Sequence, residues 1–208
     1  MTPKPRFEFF YDCSSPWTFF AFIRVIPLLE RLGVPIEWRP ILVGGVFNAV
    51  NKELYAAREN MFSNERRLKH YFKDLSDWAE LCGVSVIQPD VFPVNSARAM
   101  RGAIFAAEQD AIVPWSAAVF RAYWCDNRDI SQPEVLAELA SGLGLDAPAL
   151  LAAVESQSYK DALRANTDEL IARGGYGSPT MFIDGDDMYF GNDRLPLVEM
   201  RLQQRISS

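Results

Sequence analysis

Phe7-Glu8-Phe9-Phe10-Tyr11-Asp12-Cys13-Ser14-Ser15-Pro16 is the stretch on which the fold turns. Aromatic residues dominate its first half, as in a buried strand, and a small polar step closed by proline ends it. Pro16 suits the first turn of a helix, where its missing N–H costs nothing. The apolar run from Phe19 to Leu32 then follows helical spacing until Gly33, with Pro27 inside it as a candidate kink. Val34 to Pro40 reads as a short second strand. The opening is therefore a β-α-β unit, with a right-handed crossover if its strands are parallel. Feeding a strand into a helix through Ser-Ser-Pro also sets hydroxyls beside the free N–H groups of the helix start, an arrangement suited to an anion or a thiolate.

Beyond Ile41 the pattern changes. Gly44-Gly45 and Asn48 to Asn51 read as an irregular loop, and strands are nearly absent from there to Arg173. Candidate helices cover Glu53 to Leu81 (with a break inside it left open), Ser96 to Gln109, Trp115 to Cys125, Pro133 to Ser141, Pro148 to Ser156 and Tyr159 to Arg173. Asn95 or Ser96, Ser131 and Asp146 mark starts, while Gly83, Gly142 and Gly174 mark stops. Gly174 to Pro179 then leads into the apolar strand Thr180 to Ile183. Asp184-Gly185-Asp186-Asp187 is a hairpin signal before Met188 to Phe190, and a final helix runs from about Leu195 to Ile206. The plan is β-α-β, helical insertion, β-β-α: an α/β protein with residues 1–43 and 174–208 forming one domain and residues 44–173 an all-helical insertion.

The chain has 208 residues, 49% of them hydrophobic, enough for a sizeable core in one domain with a large insertion. A net charge of −6 without any basic stripe argues against nucleic acid and anionic membranes and for a small-molecule ligand. Met1 to Arg6 is too short and polar for a signal peptide, and no apolar segment approaches a membrane span, so a cytoplasmic location is expected. Cys13, Cys82 and Cys125 are odd in number and widely spaced, which fits a reducing compartment and neither a disulfide framework nor a metal site. His70 is the only histidine, so a two-His metal site within one chain is excluded. It lies in a charged helical stretch, where a solvated surface role is expected.

Four blocks in order carry a more specific signal: Asp12-Cys13-Ser14-Ser15-Pro16, Phe92-Pro93-Val94-Asn95-Ser96, Gly177-Ser178-Pro179-Thr180-Met181-Phe182 and Gly191-Asn192-Asp193-Arg194-Leu195. With the β-α-β, helices, β-β-α plan, they resemble the 2-hydroxychromene-2-carboxylate isomerase and kappa-class glutathione transferase family. This family belongs to the thioredoxin-like superfamily in which a helical domain interrupts the fold. The resemblance covers nearly the whole chain.

The resemblance implies glutathione as cofactor and Ser15 as the catalytic serine that contacts its sulfur. The chemistry is independent of the family: a thiol with a pKa of about 8.5 is mostly protonated at neutral pH, and a hydroxyl donor beside a helix start favours the thiolate. The alternative for Ser14 and Ser15 is plain helix capping. Pro179 matches the family's cis-proline, with the Ser178 N–H and C=O pairing to the tripeptide's cysteinyl backbone like an added strand. Asn192 and Asp193 match the pair that binds the γ-glutamyl end. Asn51 matches an asparagine at the glycyl end, with Asn48 as the alternative alignment, and the family's basic residue falls at Arg67 or Lys69.

Cys13 is two residues ahead of Ser15, and the position three beyond it is Pro16, so a C-x-x-C dithiol cycle is absent; the cysteine is a packing residue or a secondary thiol. Trp17, Phe47, Tyr71 and Trp115 are aromatic candidates for a second-substrate pocket or for the core, and Arg98 and Arg101 for a substrate carboxylate or the surface. The implied activity is glutathione-dependent cis-trans isomerisation of an aromatic 2-oxo acid, as in aromatic catabolism. The alternatives are a kappa-like transferase and a non-catalytic thioredoxin-like binding module, and relatives are commonly homodimers.

Overall fold

A computed structural model describes residues 4–53 and 64–207. β1 (Phe7–Tyr11) is buried along its whole length. Pro16 opens α1 (Pro16–Leu32), which runs through Pro27 as one helix and stops at Gly33. β2 (Ile36–Pro40) lies parallel to β1, pairing Phe7 with Ile36 and Tyr11 with Pro40. After the helical span, β3 (Thr180–Ile183) runs antiparallel to β1, and the hairpin Asp184 to Asp186 returns the chain as β4 (Asp187–Phe190). The sheet order is β2-β1-β3-β4. A 3₁₀ turn (Asn192–Arg194) leads into the last helix. This is a thioredoxin-like fold interrupted by helices.

Between β2 and β3 the described residues form α2 (Val43–Val50), α3 (Glu65–Leu81), α4 (Ala97–Ala107), α5 (Ile112–Trp124), α6 (Pro133–Gly142), α7 (Ala147–Glu155) and α8 (Gln157–Ala172), and α9 (Leu195–Ser207) closes the chain. Most match the sequence expectation to within a turn. The exception is α2, expected as a loop; the part of the expected Glu53–Leu81 helix at residues 54–63 lies outside the described residues. Gly44 and Gly45 carry poor helix propensity, so α2 has to be stabilised from elsewhere. Val46 supplies one anchor, buried with Phe10, Ile41, Leu170 and Phe182. The other anchor is electrostatic: the first N–H of α2, on Val43, donates to the Asp12 carboxylate at 2.8 Å.

Strand alternation divides the sheet residues between two layers. Phe7, Phe9, Tyr11, Met181 and Ile183 join the main core with α1, α9 and the helical span. Phe10 and Phe182 face the opposite way, into the smaller cluster with Val46 of α2 and Leu170 of α8. The two ends of the helical span thus cover the second face of the sheet. Its middle merges with the main core: the Phe120 ring of α5 stacks on Phe19 at 5.0 Å, and the Tyr11 hydroxyl bonds Ser116 Oγ at 2.7 Å. Among the described residues no helix is long and apolar enough to cross a membrane.

Candidate active site

The end of β1 and the start of α1 converge with the loop before β3. Ser15 is the N-cap of α1, and its Oγ accepts from the Thr18 N–H at 3.3 Å. That bond uses a lone pair and leaves the hydroxyl proton to be donated outward. The Ser178–Pro179 peptide is cis, as the family resemblance implied, and so is Phe92–Pro93, which sequence reading left unassigned. Ser178 Oγ accepts from the Asp12 N–H at 3.0 Å and shares a hydrogen bond with Thr18 Oγ1 at 2.8 Å. The two segments are therefore tied together directly.

Two adjoining clefts meet at this junction, with Trp17, Ser178 and Phe190 common to both. The larger, of about 780 Å³, is mostly apolar; Ser14 and Ser15 line it together with Trp17, Phe47, Tyr71 and Phe92. The smaller, of about 410 Å³, is more polar and includes Pro179, Asn192, Asp193 and Asp74. Asn192 is buried, and among the described residues its Nδ2 has no hydrogen-bond partner. An unpaired buried donor costs roughly 1–3 kcal/mol, so this amide fits a cleft that receives an acceptor from a ligand. Asp193 Oδ2 accepts from Arg194 Nη1 at 2.6 Å. Gly191 precedes this pair at φ +103°, where a Cβ would also stand 2.7 Å from Asp193 Oδ1. The positive φ is what calls for glycine at this turn, since the Asp193 carboxylate could move aside from a Cβ.

The structure gathers Ser15, Ser178, Pro179, Asn192, Asp193 and Asn51 around these clefts. Asn51 lines the apolar one and donates to the Tyr176 carbonyl at 3.3 Å, whereas Asn48 does not line it. Arg67 and Lys69 are exposed on α3 and line neither cleft, and His70 is exposed beside them. Trp17, Phe47 and Tyr71 reach the cavity. Trp115 does not: it is fully buried and its indole N–H donates to the Ala99 carbonyl at 3.0 Å. Arg98 pairs with Glu155 and the Ser131 carbonyl, and Arg101 donates to the Ala97 carbonyl; neither lines the cavity. Sequence reading missed Asp12, whose carboxylate is fully buried behind Ser14.

Cys13 is a packing residue. Its N–H meets Met100 Sδ at 3.3 Å, its carbonyl accepts from the Trp124 indole at 2.9 Å, and it is almost fully buried. Burial, and then the nearby Asp12 charge, push its thiol well above the ordinary range. Cys82 and Cys125 are half-buried, with thiols raised mainly by burial. Titration with an aromatic disulfide at mildly alkaline pH is expected to label Cys82 and Cys125 first and Cys13 only on unfolding. Rapid labelling of Cys13 in the folded protein would contradict its packing role.

The family model described as DSBA-like thioredoxin domain matches residues 6–203. A 2-hydroxychromene-2-carboxylate isomerase of Pseudomonas putida is 30% identical, over 92% of this chain and 91% of its own. The glutathione S-transferase kappa 2 of Caenorhabditis elegans is 27% identical, over 92% and 88%. Among solved structures, that of a 2-hydroxychromene-2-carboxylate isomerase superposes with a TM-score of 0.81 at 26% identity, covering 95% of this chain and 94% of the other.

Proposed function

The chain belongs to the DSBA-like thioredoxin domain family, among the 2-hydroxychromene-2-carboxylate isomerases and kappa-class glutathione transferases, and from that premise we propose that it is a glutathione-dependent cis-trans isomerase of an aromatic 2-oxo acid. The observation that carries this reading is Ser15 in the lining of an apolar cavity, next to a more polar cleft that holds a buried amide unpaired among the described residues. When bound, glutathione supplies a thiolate whose reversible addition makes a double bond rotatable and whose elimination regenerates it. Ser15 donates a hydrogen bond to the sulfur, keeping its own proton, and so favours the charged thiolate. Ser178 offers its backbone to the cysteinyl unit, Asn192 and Asp193 hold the γ-glutamyl end, and Asn51 the glycyl end. Trp17, Phe47 and Tyr71 exclude water from the reacting carbons.

One observation favours a second reading. Among the described residues no Arg, Lys or His lines the apolar cavity, a surface suited to a neutral electrophile and to kappa-like conjugation. Thiol balance decides between them. With an unsaturated aromatic 2-oxo acid, the isomerase reading expects no turnover without glutathione and an undiminished free-thiol concentration at completion. Stoichiometric loss of thiol means transfer, turnover without any thiol overturns both readings, and binding of glutathione with no conversion of either substrate class leaves a binding module.

A further inference from the structure

One residue joins four walls of the apolar cavity, three of them through its carboxylate and the fourth through its backbone N–H. Asp12 follows β1 directly and is fully buried. Its Oδ1 accepts from the Ser14 N–H at 2.9 Å; its Oδ2 accepts from the Val43 N–H at 2.8 Å and from the Ser96 hydroxyl at 2.9 Å. Its own N–H donates to Ser178 Oγ. Ser14, Val43, Ser96 and Ser178 all line the cavity. They come from the turn into α1, the first residue of α2, the N-cap of α4 and the loop before β3. Ser96 makes no side-chain cap to its own helix, so its hydroxyl is committed to Asp12.

Burying a carboxylate is costly unless donors surround it. Here every donor to it among the described residues is uncharged. Burial holds the Asp12 pKa above the ordinary carboxylate range, and the Ser14 and Val43 N–H groups, then the Ser96 hydroxyl, offset that only in part. Asparagine has the same shape but accepts at one end only. With its oxygen toward Val43 and Ser96, its NH₂ meets the Ser14 N–H, donor against donor.

We infer that Asp12 is the positioning residue of the thiol site, fixing the Ser14–Ser15 turn and, through Ser178, the loop before β3 against the starts of α2 and α4. The inference rests on the glutathione reading above. Asp12 lies behind the cavity lining and acts through the residues it holds.

The test measures the ultraviolet absorbance of the bound thiolate against pH, with kcat and KM, for the full chain, Asp12→Asn and Ser96→Ala, each checked for folding by circular dichroism. Asp12→Asn is expected to raise the apparent pKa of the bound thiol and to lower kcat by about 10–100-fold, with a smaller change in the KM for glutathione. Ser96→Ala is expected to move both in the same direction by less. The sign is diagnostic, because removal of a nearby negative charge alone favours the thiolate and lowers its pKa. A lowered or unchanged thiol pKa in folded Asp12→Asn overturns the inference. Should Asp12→Asn not fold, Ser96→Ala decides: an unchanged pKa and kcat there overturn it equally. A wild-type chain that does not bind and ionise glutathione overturns the parent reading instead, an outcome distinct from unaffected variants of a wild type that does.

Discussion

Ser15→Ala is expected to lower turnover by about 10²–10³-fold, the usual effect of removing one preorganised donor from a site where charge is stabilised, while glutathione affinity changes little. The split follows from the geometry. Ser15 Oγ accepts from Thr18 N–H, so the proton it has left is the one offered into the cavity. The residues proposed to grip the rest of the tripeptide, Ser178, Asn192 and Asp193, do not depend on that proton. The lost cap costs about 1 kcal/mol or less, because the bond is long at 3.3 Å and Pro16 still opens the helix. Steady-state kinetics give the first effect, calorimetric titration with glutathione the second, and thermal melting the third. Full turnover in the variant removes Ser15 from the chemistry; lost binding with intact kcat reassigns it to affinity.

The second large effect is on stability. Trp115→Ala is expected to destabilise the protein by about 3–5 kcal/mol, the range for deleting a buried large aromatic side chain. Trp115 is fully buried, its indole N–H is satisfied by Ala99, and its ring lies so close to α4 that a Cβ on Gly102 would stand 2.5 Å from Cζ2. A glycine inside a helix disfavours it, and at Gly102 the packed indole offsets that cost. Truncation leaves the glycine facing a void. Urea unfolding measures the loss, with Trp17→Ala as comparator: Trp17 is half-buried and borders both clefts, so its truncation costs less stability and more substrate binding. A loss below about 1 kcal/mol for Trp115→Ala would mean that the site collapses around the missing ring.

Much of this architecture is legible in the sequence because its signals are local. The aromatic strand before Ser-Ser-Pro, the periodicity of α1, the Asp-Gly hairpin and the glycine stops each act within a few residues. The glycine-bearing α2 was not legible, since its start is held by a carboxylate 31 positions earlier in the chain. The same distance problem hid Asp12 itself, whose other partners Ser96 and Ser178 lie 84 and 166 positions away. Nor do aromatic residues declare their side of a wall: Trp17 and Trp115 look alike in composition, and only packing separates a cavity lining from a core. Ser15, Ser178 and Asn192 are linked in the sequence only by the ordered motif blocks, because no periodicity brings positions so far apart together.

The shared packing around Phe120 and the cover that α2 and α8 give to Phe10 and Phe182 set a limit on modularity. Although the helical span is continuous in the chain, it is not a detachable cassette. Its removal would leave Tyr11 without Ser116 and one side of the sheet bare. New specificities are therefore more readily built by exchanging residues along the cavity than by exchanging the segment.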